Sequence, residues 1–216
     1  NGWILSKLTY FVAKTSECVS NQKLIFKKSK VNSIKKMLKK SQQEKLTVEF
    51  VTSEEDVDEW YYNCHLIRIS ELNGKKWELT LIKDLFNRGY GELIVAKNQK
   101  GDILGGCFTL LSKKTLELFM ISTPNKNLKL GTNYLIVKEL YLFAEKNKID
   151  FINWQASNPP IGPISFFKER WNCSKRTLSI LNKKFTNDIY ADELSKKFPN
   201  CYIFPYEYIS SYKKEF

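Results

Sequence analysis

The chain carries a single histidine, His65, among its 216 residues. This excludes any arrangement that needs two imidazoles and argues against a zinc site built from protein ligands alone, so no metal is expected. Its five cysteines, Cys18, Cys64, Cys107, Cys173 and Cys201, form an odd set with no short paired spacing. Neither a disulfide framework nor a zinc ribbon is indicated, and reduced thiols in a cytoplasmic protein are expected. No apolar run approaches membrane-spanning length, and Asn1-Gly2 does not open a secretory leader. The missing initiator methionine leads us to expect a trimmed or partial chain. Internal repeats and low-complexity linkers are also missing, which argues against two independent domains. Acid is the scarce charge: 23 Asp and Glu face 35 Lys and Arg, a formal net charge of +12. That balance gathers anions and weakens with salt. Coenzyme A, nucleotide-linked sugars, transfer RNA and anionic lipid all answer to it, as does solubility alone.

Apolar periodicity supplies what composition does not. Trp3 to Ala13 is rich in aromatic and branched residues and reads as a strand or strand pair with no evident partner. Between Lys23 and Lys45 nine lysines stand against one acid, Glu44, while Val31, Ile34, Met37 and Leu38 fall at helical intervals. This predicts a basic amphipathic helix, either docking a narrow apolar stripe or meeting phosphate or membrane. Leu46 to Val51 alternates as a strand. Ser53 followed by Glu54, Glu55 and Asp56 starts a helix that runs to about Glu71. A shorter helix spans Leu79 to Asn87 and closes at Arg88-Gly89. Three strands follow, Glu92 to Lys97, Ile103 to Leu111 and Leu116 to Ser122, which short turns join into an antiparallel meander. A helix begins after Gly131, with Thr132 or Asn133 expected to cap it. Asp150 opens a buried strand to Trp154, the prolines from Pro159 to Pro163 enforce a loop, and a helix carries Phe166 to Trp171. A last strand covers Arg176 to Leu181. In the tail, Asp192 to Leu194 reads as a helical fragment and Cys201 to Phe204 as a strand or apolar anchor. The expected class is α/β (α+β), with a mixed, mostly antiparallel sheet flanked by helices. We divide the chain into residues 1–45, the N-terminal strand and basic helix, 46–184, the principal domain, and 185–216, a tail packing on it.

This element order resembles the GNAT acyltransferase fold. More narrowly, Lys30-Val31-Asn32-Ser33-Ile34-Lys35-Lys36, the hairpin at Gly101-Asp102-Ile103-Leu104-Gly105-Gly106, and Asp150 with Phe167-Lys168 are similar to the FemAB-like branch. The resemblance covers roughly residues 23–184. It implies a sheet splayed between its fourth and fifth strands, here Leu116 to Ser122 and Asp150 to Trp154. It also implies transfer of an acyl or aminoacyl group to an amine, often on a cell-envelope or nucleotide-linked precursor. Many members carry two such domains; this chain shows one set of elements, with Trp3 to Val12 expected as a remnant of a neighbouring unit. Lys168 would lie near the reacting carbonyl or donor phosphate, against the alternative that it is the solvated flank of the Phe166, Phe167 and Trp171 stripe. Asp150 would orient the acceptor or take a proton. Lys30 and Asn32 of the basic segment would meet substrate.

The donor loop of the family reduces here to Lys129-Leu130-Gly131-Thr132-Asn133. One lysine and one glycine match, so both acyl-coenzyme A and aminoacyl-tRNA stand as donors, and a non-catalytic basic module that binds nucleic acid or membrane is the third reading. Transfer to an amine needs a neutral nucleophile, a held carbonyl and a stabilised oxyanion, with no covalent intermediate. Backbone amides from Ile121, Ser122 and Thr123 are expected to polarise the carbonyl. Lys129 and the helix start at Gly131, Thr132 and Asn133 are expected to hold phosphate. His65 with Glu71, or Tyr61, is the candidate base, and Trp154 and Asn158 are expected to shape the acceptor pocket.

Overall fold

The computed structural model describes residues 3–25, 28–74, 76–156 and 162–183. Its strands are β1 (Trp3–Lys14), β2 (Val19–Ser20), β3 (Lys23–Leu24), β4 (Thr47–Phe50), β5 (Gly91–Lys97), β6 (Ile103–Ser112), β7 (Thr115–Ser122), β8 (Phe151–Ala156) and β9 (Ser174–Lys183). Helices are α1 (Lys28–Gln43), α2 (Glu54–Trp60), α3 (Leu66–Glu71), α4 (Leu79–Asn87), α5 (Asn125–Leu128), α6 (Thr132–Lys146) and α7 (Pro163–Arg170). The tail segments expected at Asp192 to Leu194 and Cys201 to Phe204 lie outside the described residues.

Seven strands form one sheet in the order β4-β5-β6-β7-β8-β1-β9. β5 to β7 form the antiparallel meander expected from the short turns between them, and β4 pairs antiparallel with β5. β7 and β8 are the one parallel pair in this sheet. The first strand is continuous and interior, antiparallel to β8 on one side and to β9 on the other.

Each face of the sheet buries its own core. One face packs α1 and α6 through Ile34, Ile136, Val137, Leu140 and Tyr141 against Ile94, Cys107, Leu116 and Ile152. The other packs α2 and α4 through Val57, Trp60 and Ile82 against Leu93, Val95, Phe108 and Met120. The basic helix docks its apolar stripe, with Ile34 buried and Lys35, Lys36 and Lys39 outward. Ser53 caps α2 as expected, its hydroxyl accepting from the Asp56 amide at 3.2 Å.

Two helices depart locally from their expected form. The helix predicted from Glu54 to Glu71 is interrupted by a π-helical turn over Tyr61–His65, which turns Tyr61, Cys64 and His65 all inward. And α6 starts without a side-chain cap. Gly131 occupies the capping position at φ 84°, and the Thr132 hydroxyl donates instead to the Asn127 carbonyl at 3.0 Å. The expected Thr132 or Asn133 cap gives way because α1 crosses there. A Cβ on residue 131 would sit 2.3 Å from the Met37 carbonyl oxygen, so only glycine permits this approach.

Candidate active site

β7 and β8 pair from Thr115 with Phe151 to Glu117 with Asn153 and no further. Leu118 to Ser122 on one strand and Trp154 to Ala156 on the other therefore diverge from the fork at Glu117 and Asn153. Successive amides of a strand point to opposite edges, so alternate N–H groups of β7 beyond the fork face away from β6 into the gap. Ile121 and Ser122 are adjacent and both paired in register with β6, so only one of their two amides faces the gap, and Thr123 follows just past the strand.

Across the gap, the end of β8 is reshaped. Gln155 adopts a left-handed conformation, φ 64°, and the β1 register shifts between Tyr10 and Val12. This bulge turns three successive carbonyls toward α7. Lys168 is 7% exposed, and its ammonium donates to the carbonyls of Trp154 at 2.6 Å, Gln155 at 3.1 Å and Ala156 at 3.2 Å. The ammonium also lies 5.2 Å from the centre of the Phe11 ring. Burial pushes its pKa down to about 8, which leaves it mostly protonated at neutral pH. The solvated-flank reading of Lys168 is thus overturned. Phe167 and Trp171, four residues apart, share the packed face; Phe166 is 53% exposed, and Lys168 turns in beside Ser165.

Gln155 also joins Lys168 to the fork. Its carbonyl accepts from Lys168, and its side-chain amide donates to Glu117 Oε2. Its own backbone N–H donates to Asn153 Oδ1 at 2.9 Å. Glu117 is half-buried, and desolvation raises its carboxyl above the ordinary range although a hydrogen bond from Asn153 works the other way. Sequence reasoning missed this acid. Its signal was present: Thr115-Leu116-Glu117-Leu118-Phe119-Met120 is an interior strand with one charge in it.

On the β7 side, His65 is brought to Ser122. Its Nδ1 lies 2.9 Å from Ser122 Oγ, while its Nε2 is buried without a partner. Desolvation pushes the imidazole down to about 4, so it is neutral, and its buried ring sits between Trp60 and Tyr61. Gly106, paired with Ser122, leaves room for the Trp60 indole: a Cβ there would meet Trp60 Nε1 at 2.7 Å. His65 fixes the end of β7.

The structure does not gather the remaining predicted residues at the gap. Asp150 is exposed at the closed, paired end of β7 and β8, where its amide and carbonyl bond to Lys114 and Thr15. Glu71 accepts from the Asn125 amide at 2.9 Å and pairs with Arg68 at 3.2 Å, tying α3 to α5. Tyr61 is buried, burial raises its pKa, and its hydroxyl donates to the Trp77 carbonyl at 2.7 Å. Trp154 belongs to the core rather than to a pocket wall. It is 2% exposed and its indole N–H donates to Tyr141 at 3.0 Å. Asn32 is exposed on α1, over the face opposite to Trp60 and His65. Asn158 and the Lys30 side chain lie outside the described residues. At the start of α6, Lys129 is exposed, Thr132 is buried, Asn133 Oδ1 is buried without a partner, and α1 closes over Gly131. Thr123 Oγ1 is likewise buried and unpartnered.

Cys18, Cys64 and Cys107 are buried thiols, with Cys18 and Cys64 each pushed up to about 12 by burial and Cys107 higher still, so none is a poised nucleophile. Among the described residues no group of three or more His, Cys, Asp or Glu is placed to hold a metal ion, and no helix is long and apolar enough to cross a membrane.

No protein-family model matches the chain, and no curated protein matches it. Solved structures do. L-PGS from Bacillus licheniformis superposes with a TM-score of 0.62 at 12% identity, covering 85% of this chain and 63% of that one. FemX superposes at 0.59 with 10% identity, covering 82% and 60%. A GCN5-related glucosamine N-acetyltransferase region from a fungal multi-domain GH3 beta-N-acetylglucosaminidase superposes at 0.51 with 10% identity, covering 83% and 21%. This chain spans less than two thirds of each of these proteins. At such identities the likeness is one of fold, and the fold is GNAT-like, of the FemX type.

Proposed function

We propose that the chain is an N-acyltransferase of the FemAB-like branch, moving an acyl group from acyl-coenzyme A to an amine on an envelope-related sugar or peptide precursor. The observation that carries this reading is the gap between β7 and β8, flanked by a buried ammonium and a half-buried carboxylate that Gln155 ties together. The donor carbonyl lies along the β7 edge, where free amides polarise it. The neutral amine attacks the carbonyl carbon. A C–N bond forms and the oxyanion develops against the β7 amides. Collapse breaks the C–S bond, releasing the coenzyme A thiolate, which is protonated on release. Glu117 accepts the proton that the amine sheds, a role suited to a carboxylate whose pKa burial has raised. Lys168 is a positioning residue: three carbonyls engage its ammonium, so it holds the β8 end open and lends the gap positive potential. Lys129 and the first turn of α6 would hold the donor phosphates.

One observation favours a second donor. α1 presses its Met37 carbonyl against Gly131, narrowing the place where a pyrophosphate would meet the α6 amides. An aminoacyl-tRNA ester has no pyrophosphate to seat there, and the same carbonyl chemistry would release a ribose hydroxyl instead of a thiol.

Purified protein given an amine acceptor and either acetyl-coenzyme A or a charged tRNA decides the matter. We expect thiol release with the first donor and an acid limb in the rate profile that disappears in Glu117→Gln. Turnover with charged tRNA alone, abolished by ribonuclease, establishes the second donor. Full turnover by Glu117→Gln removes that residue from the mechanism.

A further inference from the structure

On the outer face of the α1 and α6 layer, away from the gap, lies an open groove of about 550 Å³. Its wall is aliphatic: Leu24, Ile25, Val31, Ile34, Leu38 and Leu142. Ile25 stands at its lip, 45% exposed, and Val31 and Leu38 are only partly covered. Lysines complete the lining. Lys23, Lys35 and Lys138 border the groove, and Lys36 and Lys39 continue the charge outward along α1. Two carboxylates are near and both are engaged. Glu139 pairs with Lys138 at 2.8 Å, and Glu145 accepts from the Gln22 backbone and side-chain amides at 2.9 and 2.7 Å.

An aliphatic trough rimmed by cations fits one kind of occupant best. Nucleic acid needs a charged track with aromatic platforms for its bases, and among the described residues no aromatic side chain lines this groove. A soluble anion needs no aliphatic floor. A bilayer of anionic phospholipid supplies both halves, with phosphates for the lysines and acyl chain for the trough. We propose that α1 and the β2-β3 lip seat the chain on an anionic phospholipid bilayer, one lipid tail lying in the groove. This surface does not depend on the chemistry proposed for the gap, and its test uses no turnover.

Flotation of the full chain with vesicles of phosphatidylcholine, alone or mixed with phosphatidylserine, reads the interaction directly. Partition is expected only with the anionic mixture, falling as salt rises. Lys35→Gln with Lys39→Gln is expected to lower partition by roughly five-fold per lysine. Ile25→Ser and Val31→Ser keep the charge and are expected to reduce it as well, with circular dichroism and melting unchanged because neither side chain is in the buried core. Equal partition to neutral and anionic vesicles overturns the proposal. So does loss in the lysine variants with none in Ile25→Ser and Val31→Ser, which would mark a purely electrostatic surface. Displacement from vesicles by a single-stranded RNA oligonucleotide that binds more tightly through the same lysines also overturns it.

Discussion

Acid should unfold this protein through His65, and by an amount set by its burial. The imidazole titrates near 6.5 when solvated and near 4 in the folded chain, because its burial beside Trp60 and Tyr61 penalises the cation. Between those values the unfolded chain binds a proton that the folded chain refuses. Stability is therefore intact above the solvated value and falls as pH descends toward the folded one, by about 2 kcal/mol between pH 7 and pH 4.5. Urea denaturation at both pH values measures the total slope, to which carboxylates also contribute. His65→Gln isolates the histidine. Glutamine retains a partner for Ser122 Oγ and has no proton to gain, so the acid-induced loss should shrink by that same amount, about 2 kcal/mol. An identical pH dependence in both proteins would refute the reasoning and show that the folded imidazole reaches solvent.

Three further outcomes are expected. Gly131→Ala should destabilise by at least about 2 kcal/mol in urea melts, since φ 84° disfavours a Cβ and the Met37 backbone blocks it; Gly101→Ala, at φ 90° with nothing nearby, should lose only about 1 kcal/mol. Lys168→Met removes a desolvation cost of about 3 kcal/mol but leaves three carbonyls without their donor at about 1–3 kcal/mol each, so melts should show a net loss of roughly 2–3 kcal/mol with the fold retained while turnover collapses. Gln155→Gly relieves the left-handed strain but strips a donor from Glu117. Its stability should hold within about 1 kcal/mol while the acid limb of the rate profile moves to higher pH.

Periodicity made most of this fold legible. β5 and β6 are continuous apolar runs and β7 alternates, with short turns between them, and α4 runs over the residues its apolar spacing marks, Leu79 to Asn87. Local pattern carries no information about distant pairing, however, and so the partner of Trp3 to Ala13 stayed open. Its seat between β8 and β9 joins residues more than about 135 positions apart. The gap was legible only through element order, by resemblance. At the site, Lys168 stood out in the sequence, but a residue beside Phe166, Phe167 and Trp171 has no assigned face until the helix phase is known. Glu117 was passed over because a lone acid in a strand reads as the solvated member of an alternating pair. Asp150 was singled out by resemblance, and Glu71 and Tyr61 for their chemistry. The fold engages each of them in local bonds.

The two edges of the gap differ in a way that bears on what belongs between them. A strand that parts from its neighbour loses ladder partners, and a buried backbone group without one is costly. On β8 the protein meets that cost itself: the bulge at Gln155 swings three carbonyls onto a single ammonium, and no carboxylate is needed. On β7 beyond Glu117, among the described residues, no comparable side chain closes the edge, and His65 binds the Ser122 hydroxyl rather than the backbone. Acceptors are thus engaged on one side, while on the other the β7 ladder has no β8 partner beyond Glu117. On the acyl-transfer reading proposed above, a gap built this way suits a ligand that brings carbonyl oxygens and needs donors, as an acyl ester or thioester does. A ligand offering amide donors would find the β8 acceptors already engaged.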